Sequence, residues 1–225
     1  YDFIESEGEL QGKFEVENTK VIKFYYSRLA KVTVKYIEKE TNKQIADEVI
    51  QAGYEGEEYI TSAKEIPNMK LVEIPKNATG VMVGEVNVIY YYRKSKFDMS
   101  ISKSVKSLKV NGNYKKVSGD DMIKVETSKN KNSKLEFEIE YSIRVKNIGE
   151  IEGKANILEK IASGFAMYGK ENPGWKVRNN EARLQTSNIV PGETRIYIIK
   201  LHWISGNSNL GLKVSEASIE STENA

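Results

Sequence analysis

The stretch NVIYYYRK, Asn87–Lys94, decides how the first part of the chain is read, because KVIKFYYSR at Lys20–Arg28 spells nearly the same strand. Laying Phe24-Tyr25-Tyr26 on Tyr90-Tyr91-Tyr92 sets the two copies 66 positions apart. A glycine lies upstream of each, Gly12 and Gly80. Val, Ile and Tyr suit a pleated, half-buried surface, so both stretches are expected as strands. The recurring residue order and the arginine that closes each copy point further, to an array of repeated units. Residues 1–28 are therefore expected to be the C-terminal end of a preceding repeat, and 29–95 a whole one. The chain is accordingly expected to be part of a longer protein. Its first Tyr-rich strand is expected to find a hairpin partner near Gly12–Val16, a pairing that is marginal alone in water.

Working outward from Asn87–Lys94, period-two alternation dominates. In KVTVKYIE, Val32, Val34 and Tyr36 fall on one face, and the TNK turn at 41–43 leads into QIADEVIQAGYEGEEY. Gly53 and Gly56 allow bends there. ITSAKEIPNM, 60–69, is predicted as a short helix ended by Pro67 and Asn68. KLVEIP and EVNVIYYYRK complete a unit dominated by strands.

This unit resembles the MucBP (mucin-binding-protein) repeat of Gram-positive surface proteins. The matching features are Val32, Val34 and Tyr36, then Ile45-Ala46, Gly53, Gly56 and Tyr59. They continue through Ile66-Pro67, Leu71, Asn77-Ala78-Thr79-Gly80 and Val88-Ile89-Tyr90-Tyr91-Tyr92. Two positions depart from the family pattern: Thr41-Asn42 replaces an Asp-Gly turn, and Asn68-Met69 replaces Gly-Tyr. The resemblance implies a β-grasp-like fold and a place on the bacterial cell surface, anchored to the wall by a region outside these residues.

From Lys96 the pattern changes to strands separated by Gly, Asn and Ser turns. FDMSISKSV, MIKVETS, KLEFEIEYSIRVKN, WKVRNNEARLQT, ETRIYIIKLHWIS and LGLKVSEASIES read as strands. In LEFEIEYSIRV, Leu135, Phe137, Ile139, Tyr141, Ile143 and Val145 point one way; Glu136, Glu138, Glu140 and Arg144 point the other. About seven strands in such a length predict an immunoglobulin-like β-sandwich over 96–225. FDMSISKSV and YSIRVKNIGEIEGKA also resemble the DUF11-like stalk domains of bacterial surface proteins. The fold class expected is thus mainly β, a β-grasp-like repeat followed in line by an immunoglobulin-like sandwich.

Composition narrows the function. Thirty-four basic residues nearly balance 32 acidic ones, with the signs interleaved, so no nucleic-acid partner is expected. The absence of cysteine excludes disulfides, thiolate metal sites and cysteine nucleophiles. Apolar runs are far too short for a bilayer span, so no membrane insertion is expected.

No catalytic, cofactor-binding or metal-binding residues are assigned. His202, the only histidine, alternates out of phase with Tyr197, Ile199, Leu201 and Trp203 and reads as a surface residue. Gly-rich phosphate loops are absent. Asp120-Asp121 and Asn207–Asn209 carry too few carboxylates for a calcium loop. Trp175 and Trp203 read as core residues. Tyr90 and Tyr92 are the candidate glycan-contacting side chains, able to stack on sugar rings if exposed. Lys103 is a candidate for an intramolecular Lys–Asn isopeptide crosslink, being in phase with Phe97, Met99, Ile101 and Val105. That chemistry also needs a buried carboxylic acid and an Asn on the last strand. Glu136, Glu138 and Glu140 lie on the polar face and LGLKVSEASIES holds no Asn, so Lys103 is expected to snorkel to water uncrosslinked.

The expected function is non-enzymatic: an extracellular segment of a bacterial surface adhesin, monomeric, partnered by mucin-type glycans or other extracellular glycoproteins. A purely structural spacer and the accessory stalk of a secreted glycan-degrading enzyme are the alternatives.

Overall fold

A computed structural model of the chain describes all residues except 9, 14–18, 118–122, 127–134, 205–209 and 225. They form two compact units, Tyr1–Ser95 and Lys96–Ala225. Both are β-rich, and the second is a sandwich.

The first unit holds β1 (Asp2–Glu7), β2 (Lys23–Ser27), β3 (Leu29–Glu38), β4 (Gln44–Tyr54), β5 (Glu58–Ile60), β6 (Met69–Glu73), β7 (Thr79–Val81) and β8 (Glu85–Lys94). Four of these make a sheet in the order β4-β3-β8-β6. Its two central strands run parallel, from Lys31↔Glu85 to Glu38↔Tyr92, and each outer strand is antiparallel to its neighbour. That is the β-grasp order. Alternation puts Ala30, Val32, Val34 and Tyr36 of β3 on the same buried face as Val88, Tyr90 and Tyr92 of β8. β5 and β7 form a separate pair, and so do β1 and β2.

The positions departing from the family pattern have a common physical basis. Asn42 and Asn68 both adopt left-handed backbone, φ 56° and 59°. Asn tolerates that conformation because its short polar side chain bonds locally, so it takes over the place of a glycine. Asn42 closes the β3–β4 turn, where its N–H donates to Glu38 O at 2.8 Å.

Two expectations for this unit are corrected. Residues 61–66 form no helix. Their backbone groups are instead taken by partners distant in sequence, beginning with Thr61 N–H on Ala78 O at 2.8 Å. The partner of β2 is β1, not a strand near Gly12–Val16, of which residues 14–16 lie outside the described residues.

The second unit contains β9 (Met99–Val110), β10 (Asn113–Lys115), β11 (Phe137–Asn147), β12 (Gly153–Lys160), β13 (Phe165–Ala166), β14 (Lys176–Arg178), β15 (Glu181–Gln185), β16 (Thr194–Trp203) and β17 (Glu216–Asn224). One sheet is β10-β9-β11-β16-β13 and the other β14-β15-β12-β17. Ile139, Ile143, Val145, Ile199 and Leu201 of the first share one core with Ala155, Ile157, Ala182 and Leu184 of the second. A bulge in β9 sets Ser107 opposite Glu140 but Val105 opposite Tyr141, leaving Lys106 as the extra residue. A bulge shifts the phase of a strand; the inward positions accordingly change from Met99, Ile101, Lys103 and Val105 to Leu108 and Val110.

Here too the sequence reading needs correction. Ile123–Glu126, expected as a strand, forms none, and the last strand begins only at Glu216. Conversely β12 carries a full alternation that was not assigned, with Gly153, Ala155, Ile157 and Glu159 turned inward.

Candidate functional sites

In the first unit three tyrosines carry hydroxyls into the core, and Glu38 at the end of β3 is buried as well. Tyr36 and Tyr90 stack at 5.9 Å with 19° between the rings, and Tyr92 lies tilted 6.4 Å from Tyr36. Such pairs add to area burial. Their hydroxyls reach one end of the core and tie down residues 61–64. Tyr36 donates to Ser62 O at 3.3 Å, and the Tyr90 hydroxyl lies 2.9 Å from Thr61 Oγ1, which itself donates to Ala78 O. Tyr92 donates to Lys64 O at 2.7 Å and accepts from Lys64 N–H at 2.9 Å. Burial raises the Tyr36 and Tyr92 phenols above their ordinary value. Tyr90 and Tyr92 are each 1% exposed. Neither presents a ring face to solvent, so the assignment of these two as glycan contacts is corrected: they organise the core.

The second unit brings together a cluster that sequence reading only half found. Lys103 does not snorkel. Its ammonium nitrogen lies 2.5 Å from Glu159 Oε1 and 2.5 Å from Ser215 Oγ, and 4.0 Å above the Tyr141 ring. Ser215 donates its proton to Glu159 Oε1 at 2.6 Å while accepting from Lys103. The Lys103 side chain is 11% exposed and that of Glu159 fully buried. Glu159 Oε2 has no hydrogen-bond partner.

Burial disfavours the charged form of each group. It lifts the Glu159 carboxyl above its ordinary value, against the pull of Lys103, and drives the Lys103 amine below its own. The pair is therefore suited to sharing a proton in an apolar wall. Val105, Phe137, Tyr141, Phe165 and Trp203 line the adjoining cavity of about 970 Å³, with Lys103 and Ser215.

The acid that the crosslink chemistry requires is thus present, as Glu159. It was missed because its strand was not assigned; the signal was a glutamate falling in phase with Ala155 and Ile157. At the third position stands Ser215, whose hydroxyl offers no amide for the lysine to displace.

The outer glutamates behave as expected from phase. Glu138 pairs with Lys109 and Lys200, and Glu140 with Lys106 and Lys200, across three neighbouring strands. His202 joins this face and hydrogen-bonds Glu171 through Nε2. Trp175 is buried and donates to Ile198 O at 3.0 Å. Asp120-Asp121 and Asn207–Asn209 lie outside the described residues. Among the described residues no group of three or more His, Cys, Asp or Glu side chains is placed to hold a metal ion, and no helix is long and apolar enough to cross a membrane.

The sheet thus combines β-grasp strand order with three tyrosine hydroxyls engaged inside its own unit. Residues 31–93, just over a quarter of the chain, match the model of the MucBP domain family. That is a family of binding domains rather than enzymes. No curated protein matches the chain.

Proposed function

We propose that the chain is a non-enzymatic segment of a bacterial cell-surface adhesin, in which the unit around residues 31–93 contacts mucin-type glycans and the sandwich from Lys96 onward acts as a stalk. The observation that carries this reading is the MucBP match, which falls on a unit with β-grasp strand order. The even charge and absence of cysteine agree with it, since neither calls for a polyanion partner or a disulfide framework.

A spacer reading is favoured by one observation: the two tyrosines best suited to stacking on sugars are buried. Binding of the full chain to an array of mucin-type O-glycans separates the two. The adhesin reading expects glycan-dependent signal that survives removal of residues 96–225. No signal on any mucin glycan would leave only the spacer.

A further inference from the structure

Over three successive pairings the two-stranded pair β1–β2 reproduces the pair β6–β8. In β6–β8, Lys70 faces Arg93, Leu71 faces Tyr92, and after a skipped residue Glu73 faces Tyr91. In β1–β2, Asp2 faces Ser27, Phe3 faces Tyr26, and after a skipped residue Glu5 faces Tyr25. Moving Phe3 to Leu71 is a shift of 68 positions, and Tyr26 to Tyr92 a shift of 66. Under those shifts the pairing partners, the bulge at Ile4 or Val72 and the glutamate beyond it all coincide. A bulge is a specific local device, so its recurrence in register marks equivalent elements.

What differs is the other edge. β8 continues through a parallel ladder to β3, which sets Tyr36 opposite Tyr90 and Glu38 opposite Tyr92. β2 pairs with β1 alone among the described residues. The consequence is visible in exposure. Tyr90 and Tyr92 are 1% exposed, whereas their counterparts Phe24 and Tyr26 are 52% and 55% exposed. Phe3, on the same face, is 57% exposed and among the described residues makes ring contacts only with those two, at 6.4 and 5.8 Å. Three adjacent bare aromatics beside an unpaired strand edge form a face shaped for burial.

We infer that β2 is an acceptor edge for a strand like β3, supplied by the same polypeptide ahead of Tyr1. That strand runs parallel to β2 in an aliphatic-x-aliphatic-x-Tyr-x-Glu pattern, with its tyrosine opposite Phe24 and its glutamate opposite Tyr26. The match fixes chemistry, direction and register together, because β3 fills the same place beside β8. The inference is independent of whether the repeat binds glycans.

The test extends the full chain by a copy of residues 29–68 joined ahead of Tyr1, the position equivalent to Met69. Amide exchange is read at Phe24, Tyr25 and Tyr26, with Val88–Tyr92 as an internal reference. The expected result is a gain in protection of about tenfold or more at the three β2 amides, with the reference unchanged. A control extension, with the copied Val32, Val34 and Tyr36 replaced by serine, is expected to give no gain. Unchanged protection, or an equal gain from the control, would overturn the inference. So would protection in the unextended chain that rises with its concentration, since the occupant would then be a second molecule.

Discussion

The tyrosine cluster of the first unit and the Lys103–Glu159 cluster of the second bury polar groups in opposite ways. In the first, the phenols of Tyr36, Tyr90 and Tyr92 are neutral, and each reaches a backbone or hydroxyl partner at one end of the core. In the second, Lys103 and Glu159 carry ionisable groups to the centre of the sandwich, and Glu159 Oε2 is left without a partner. A satisfied neutral hydrogen bond contributes modestly to stability, whereas a buried ion pair must first offset the loss of hydration of both charges. The first unit therefore uses polar atoms as fasteners. The second holds a pair in which each member is tolerated only while the other is present.

That contrast breaks most visibly at Glu159. Glu159→Leu leaves a buried amine without its counter-charge and is expected to destabilise the sandwich by about 3–5 kcal/mol. Lys103→Met/Glu159→Leu removes the pair whole and is expected to return to within about 1 kcal/mol of the parent or exceed it. Both tryptophans, Trp175 and Trp203, lie in the second unit, so denaturant titration followed by their fluorescence reports that unit alone. A double variant as unstable as Glu159→Leu would show that the pair is a net stabiliser.

The tyrosine side of the comparison is tested by Tyr92→Phe. The ring remains while the N–H and C=O of Lys64 lose their shared partner, for an expected cost of about 1–3 kcal/mol. Protection of the β8 amides measures it, and no change at the Trp-monitored transition is expected.

The pH dependence sharpens the difference further. The Glu159 carboxyl is raised by burial, so its protonated form stabilises the folded sandwich fully below the ordinary value of 4.5, and that contribution is lost as pH climbs through the raised value. The Lys103 amine is lowered by burial, so its penalty is lifted as pH rises toward the ordinary value of 10.5. Relative to the double variant, the parent sandwich is expected to weaken above pH 4.5, by up to about 1.4 kcal/mol per pH unit, and to recover toward pH 10.5. Tyr36 and Tyr92, raised above 10.0, keep their full contribution up to the ordinary value of 10.0 and lose it as pH climbs through their raised values. A flat difference between parent and double variant over this range would refute the assignment.

The smallest expected effect is none. Intact mass should equal the sequence mass, because Ser215 offers no leaving amide; a deficit of one ammonia or one water would place a covalent bond in the sandwich.

How far the sequence could be read follows from where each signal resides. Alternation in LEFEIEYSIRV fixed β11 and its outward glutamates, because one strand's phase is written in consecutive residues. Alternation equally set Tyr90 and Tyr92 on one face of β8, but not which face was covered, since that depends on β3 and on residues 61–64. The helix expected at 60–69 fails for the same reason: the hydroxyls that hold its backbone come from strands distant in sequence. Lys103 was visible as an in-phase lysine before the bulge at Lys106. Its partner was not, because β12 belongs to the opposite sheet and sequence order says nothing about which strands face each other across a sandwich.

The parallel ladder between β3 and β8 has a mechanical consequence. These are the first and last strands of the span from Leu29 to Lys94, and they lie side by side pointing the same way. Tension applied at the two ends of that span pulls the strands past each other along their length. The hydrogen bonds from Lys31↔Glu85 to Glu38↔Tyr92 are then loaded together in shear, not opened one at a time as in a hairpin peeled from its tip. A module threaded this way resists extension until the whole ladder yields at once, a useful property for any chain that must hold its grip under flow.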